Sequence, residues 1–188
     1  MNDFAAKWLA EYERAEKRLD ELTAGIADLQ ANFKPAPRKW SICQCLDHLA
    51  NSIGTYLPWM LPAADKAAAS GPKGTPPYAR GTFAGWCILA EMRRDKRLMY
   101  VPAPRVFRPS RGEMKLAEQA GKLRALIVQL KSLITRTQDL ELGRLRFRSP
   151  VSPLFRVSMA QAFEIHGLHL HRHLDQIERV KAHPRFTA

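Results

Sequence analysis

The sequence predicts an all-α protein: a four-helix bundle with a long crossover between the second and third helices and a short extra helix. Three observations predict it. Apolar residues recur at three- and four-residue steps through four long segments. Three of those segments open on a Ser-x-x-Glu/Gln capping box. No strand-like alternation of any length interrupts them. With 188 residues, 46% of them in the hydrophobic set, the chain can bury a core without disulfides, and one domain over 1–188 is expected.

The first helix is expected from about Asp3 to Asn32. Its stripe is Phe4, Trp8, Tyr12, Ala15, Leu19, Leu22, Ile26 and Leu29, and Pro35 and Pro37 end it. The second begins at Ser41, boxed with Gln44, and carries Ile42, Leu46, Leu49, Ile53, Tyr56 and Met60. Pro58 and Pro62 should kink it or end it early. Ser70 to Pro77, rich in Gly and Pro, reads as a loop. A short helix is expected around Phe83 to Arg94, then an extended stretch from Val101 to Pro109. The third long helix should start at Ser110, boxed with Glu113, and fade near Leu140, before Gly143. The fourth should start at Ser158, boxed with Gln161, and run to about Ala182, with Pro184 as the stop.

The net charge is +12, which attracts anions in general. Between Lys73 and Arg111 stand nine Lys/Arg against two acids, Glu91 and Asp95, densest at Arg93–Arg97. Arg144, Arg146 and Arg148 form a second cluster. A solvated basic face is the first reading. A nucleic-acid surface is disfavoured, because aromatic residues are not interleaved and no DNA-binding motif is visible. No apolar run reaches the length of a membrane span. The three cysteines, Cys43, Cys45 and Cys87, make no disulfide framework, so a cytoplasmic location is expected.

The chemistry concentrates in histidine. Of the six, His166, His169, His171 and His173 fall within eight residues of the fourth helix. At about 100° per residue, and with Leu170 at zero, His166 lies near −40°, His173 near −60° and His169 near −100°. These three share one edge of the buried face, while His171 sits on the opposite flank and should be a surface residue. His169 and His173 are four apart, so two imidazoles can grip one ion. A third ligand from another helix would complete the set. His48, at an edge of the second helix's stripe, is the candidate. His166 is either a residue orienting a ligand or bound water, or filler on the buried face. Cys45, one turn before His48, is more readily a small buried apolar residue than a ligand. Asp47 should point about 100° away from His48, and Glu164 should sit on a flank. Gln176 reads as helix surface, and His183 carries no assigned role.

Two stretches carry a resemblance. Trp40-Ser41-Ile42-Cys43-Gln44-Cys45-Leu46-Asp47-His48-Leu49 is similar to the second helix of the DinB family, which opens with Trp-Ser and carries a His-Leu pair. His169-Leu170-His171-Arg172-His173, followed by Gln176-Ile177, resembles that family's last helix. The stretch Ala103 to Pro109 is similar to a linker in some members. The resemblance implies a four-helix bundle and a metal triad at His48, His169 and His173. It also implies a thiol-dependent transferase or isomerase using a low-molecular-weight thiol, or a metal-dependent hydrolase, and a homodimer.

Three imidazoles suit one divalent transition metal such as zinc, nickel, iron or copper. The expected partner is a small-molecule substrate, with Arg93, Arg94, Arg105 and Arg108 as candidates to recruit an anionic one. The alternative is a non-catalytic metal-binding or basic nucleic-acid- or anion-binding, stress-related protein.

Overall fold

The computed structural model describes residues 1–93 and 103–186, without the side chain of Pro153. Arg94 to Arg97, Val101 and Pro102, which carry part of the expected basic and extended stretches, lie outside the described residues. The helices are α1 (Asp3–Thr23), α2 (Asp28–Ala31), α3 (Ile42–Ser70), α4 (Phe83–Met92), α5 (Leu116–Thr137) and α6 (Met159–Lys181). Strands β1 (Arg146–Ser149) and β2 (Ser152–Ser158) pair antiparallel between α5 and α6.

The four long helices α1, α3, α5 and α6 form the expected bundle. α1 packs on α5 and α6, and α3 packs on the same two. The first two long helices therefore sit diagonally, and the crossover carrying α4 connects α3 to α5. The stripe of α1 buries Trp8, Tyr12, Ala15, Leu19 and Leu22, as the spacing predicts. Inside the core the Tyr12 hydroxyl donates to the Phe163 carbonyl at 2.8 Å, which satisfies a buried phenol.

The structure differs from the expected elements in five places. The first helix stops at Thr23 rather than Asn32. Gly25 adopts φ +69°, a left-handed turn natural to glycine, and the chain restarts as α2, leaving Leu29 81% exposed. The second helix runs through both prolines to Ser70. Pro58 and Pro62 are four residues apart on one exposed face, where solvent can meet the carbonyls they release. The third long helix starts at Leu116, not Ser110. Its first amide is capped from a distance by the Asp28 carboxylate at 2.8 Å, while the Ser110 amide donates to Asp47 at 2.7 Å. The hairpin was not expected. Arg146-Phe147-Arg148-Ser149 alternates exposed and buried, the period of a half-covered strand, but over only four residues. Arg105–Phe107, inside the stretch expected to be extended, makes one 3₁₀ turn. The short helix α4 and the capping boxes at Ser41 and Ser158 are as predicted.

α6 reaches its depth through one close approach. A Cβ at Gly167 would stand 2.4 Å from the Trp8 ring, so α1 and α6 meet ring against bare backbone. Gly167→Ala should lower stability by about 1–3 kcal/mol through overpacking, exceeding the ~1 kcal/mol that alanine gains in helix propensity. The check is a urea unfolding midpoint beside wild type.

Candidate metal centre

α3 and α6 pack against each other in the bundle, and their seam is where the histidines converge. His48 from α3 meets His169 and His173 from α6, and one ring nitrogen of each lies within 4.8 Å of the others. Ring centroids are 4.9 Å apart for His48–His169, 4.7 Å for His48–His173 and 4.6 Å for His169–His173. His48 and His173 are 4% and 2% exposed; His169 is the most open at 8%.

His48 is oriented from outside the helices. Its Nδ1 donates to the Phe107 carbonyl at 2.6 Å, which fixes the tautomer and leaves the Nε2 lone pair facing the cluster. That Nε2 lies 3.1 Å from Nε2 of His169. Two nitrogens each about 2.0–2.1 Å from one tetrahedral ion stand about 3.4 Å apart, so the spacing is close to that of a shared cation. The donor set therefore fits a divalent transition metal. It contains neither carboxylate nor thiolate among the described residues. Trp40, just before the capping serine, covers the cluster: its ring stacks on His173 at 5.7 Å and lies 4.6 Å from His48.

The Phe107 carbonyl is itself anchored. Asp47, 3% exposed, accepts from the Ser110 amide and from Lys122 at 3.4 Å. Asp47 thus points away from the cluster, as the helix angle predicts, and ties down the segment that orients His48. Neither the Phe107 carbonyl nor the Trp40 cover was foreseen from the sequence. A backbone oxygen leaves no sequence signal, and a Trp ahead of a cap has many uses.

Burial pushes the His169 imidazole well below its usual range, and the neighbouring His173 and His48 add to the effect. Burial likewise brings His166 down to about 4. His166 is 1% exposed and stands outside the ligand set. Its ring meets Tyr56 edge-on at 5.0 Å.

Other sequence candidates fall elsewhere. Cys45 is fully buried, with burial raising its thiol to about 12, and is not among the converging ligands. His171 is not the surface residue expected. It is half-buried between α1 and α6, donating from Nε2 to the Glu11 carbonyl at 3.2 Å and accepting from Arg18 at 3.3 Å. Glu164 pairs with Arg93, so that arginine is engaged with α6. Arg105 and Arg108 are exposed, and Arg94 lies outside the described residues. A surface groove of about 350 Å³ runs between α3 and α5 past Asn51, Thr55 and Lys122. It includes none of the histidines, so the chemistry of the donor set, not groove volume, marks the centre.

A histidine held neutral by burial opposes acid. Between its unfolded value near 6.5 and its folded value of about 4, the unfolded chain binds the extra proton at His166, and stability falls as pH falls. The metal-free protein should lose a few kcal/mol between pH 7 and pH 4.5, and His166→Met should flatten that slope. Chemical denaturation across that range measures it.

Comparison with known proteins follows the same lines. A family model described as the DinB superfamily matches residues 11–177. No curated protein sequence matches. Among solved structures, the chain is similar to YfiT from Bacillus subtilis, described as a probable metal-dependent hydrolase with an unusual four-helix bundle topology. The TM-score is 0.57 at 16% identity, covering 95% of this chain and 86% of that one. At that identity the match shows a shared fold. The family match spans both helices that carry the converging histidines, and the chain belongs to the DinB superfamily.

Proposed function

We propose that the chain is a divalent-metal-dependent enzyme of the thiol-transferase type, with His48, His169 and His173 as the metal ligands and a small-molecule substrate. The observation that carries this reading is the donor set. All three converging groups are imidazoles, so a bound dication keeps its full charge. When bound, such an ion supplies Lewis acidity, lowering the pKa of a thiol or a water at its open positions.

The chain's own residues do the rest. The Phe107 carbonyl holds the His48 tautomer, and Trp40 covers the rings. Cys45, the cysteine one turn before His48, is outside the set and held protonated. The nucleophile in this reading comes from solution. A low-molecular-weight thiol suits a centre without a carboxylate base, because a thiol ionises far more readily than water. Arg105 and Arg108, exposed on the segment that orients His48, support an anionic substrate. Three unbridged cysteines support the cytoplasm, and the exposed Phe83, Trp86 and Leu154 support a homodimer.

The second reading is hydrolysis, favoured by the description of YfiT as a probable metal-dependent hydrolase. A panel of low-molecular-weight thiols with carbon electrophiles, run beside ester and amide hydrolysis, separates the two. Metal-loaded wild type should consume thiol, and His169→Ala should lower the rate about 100-fold or more. Hydrolysis independent of thiol would select the second reading. Bound metal with no turnover in either panel would leave a binding module.

A further inference from the structure

His166 is buried to 1% exposure, and neither ring nitrogen has a hydrogen-bond partner among the described residues. A neutral imidazole carries one N–H donor and one lone pair, and leaving both unmet in a core is costly. The Tyr56 ring meets the His166 ring edge-on at 5.0 Å; the Tyr56 hydroxyl lies 3.1 Å from Ser149 Oγ, which also accepts from the Val151 amide at 3.3 Å. In the Tyr–Ser pair one hydroxyl donates to the other, and the second hydroxyl hydrogen stays uncommitted. Burial raises the Tyr56 phenol, so it keeps its proton. His166 of α6, Tyr56 of α3 and Ser149 of β1, linked by the ring contact and the hydroxyl pair, thus carry two donors and one acceptor not committed to one another.

Their place in the fold is beside the three-histidine centre. His166 is one turn before His169 on the same helix edge. The Phe107 ring, whose carbonyl orients His48, lies 6.0 Å from Tyr56.

We infer that His166 and Tyr56 form a polar subsite that binds a carbonyl or carboxyl oxygen of the substrate beside the metal ligands. Paired N–H and O–H donors suit an oxygen with lone pairs, and an alkyl or ammonium group offers them no acceptor. The inference rests on the metal-dependent reading above and names which part of the substrate that site holds.

The test uses zinc-loaded full-length protein and acetohydroxamic acid as the probe, with affinity read by calorimetry and zinc by elemental analysis. Wild type should bind the probe. His166→Met should weaken it about tenfold, as loss of one good hydrogen bond predicts. His166→Gln, which keeps a donor and an acceptor, should stay within about threefold. Tyr56→Phe should weaken it several-fold, and zinc content should be unchanged in all three. Unchanged affinity in both His166→Met and Tyr56→Phe overturns the inference, as does zinc-loaded wild type that ignores the probe. Loss of zinc in His166→Met and His166→Gln alike also overturns it, by making His166 a ligand. If His166→Met fails to fold by circular dichroism, Tyr56→Phe and His166→Gln decide. Zinc-free wild type sinks the metal reading and this inference together, whereas zinc uptake with unaltered probe affinity sinks the subsite alone.

Discussion

The α3–α6 seam depends on one constraint: imidazole nitrogens placed in an apolar core need partners. Much of the surrounding structure serves that need at His48. The Phe107 carbonyl accepts from Nδ1, and the 3₁₀ turn that presents this carbonyl is anchored through Ser110 to Asp47. Lys122 on α5 then meets the Asp47 carboxylate. One ring orientation therefore draws on the second helix, the crossover and the third long helix. The seam is also buried, with Trp40 laid over His173 and His48. Charges there would be strong and weakly screened, which is the setting in which a bound cation acts most on its ligands.

The bundle around the seam is secured by ordinary means. Trp8 rests on the bare backbone of Gly167, bringing α1 close to the helix that carries two of the three histidines. Arg18 of α1 bridges to Asp175 and Glu178 of α6 at 2.7 and 2.9 Å. Partly exposed pairs of this kind contribute little each, so their main effect is on register. Arg172 of α6 donates to the carbonyls of Glu91 and Met92, which fastens the C-terminal end of α4 to the back of the site helix.

What was legible in the sequence follows from what periodicity can carry. The stripes of α1, α3, α5 and α6 show the bundle because each helix buries one face, and the boxes at Ser41 and Ser158 mark true starts because their side chains reach only local amides. The box at Ser110 misleads for the opposite reason: a buried carboxylate from α3 takes its amide, a long-range partner that no local pattern encodes. Gly25 shows that a single left-handed glycine can outweigh a continuing stripe. At the site, 100° steps put His166, His169 and His173 on one edge, and the edge position of His48 on the second helix, together with the family resemblance, named it as the third member; the three ring nitrogens of His48, His169 and His173 converge. The carbonyl that orients His48, the tryptophan cover and the Tyr56–Ser149 pair come from segments far apart in sequence, so helical spacing could not show them.

The most direct measurement is the metal content of the untagged protein, by elemental analysis, on wild type and on the His48→Ala/His169→Ala/His173→Ala triple variant. A three-imidazole centre predicts about one divalent transition metal ion per wild-type chain and none in a triple variant that remains helical by circular dichroism. Wild type that stays metal-free after reconstitution with zinc or nickel, or a folded triple variant that keeps its metal, would contradict the account.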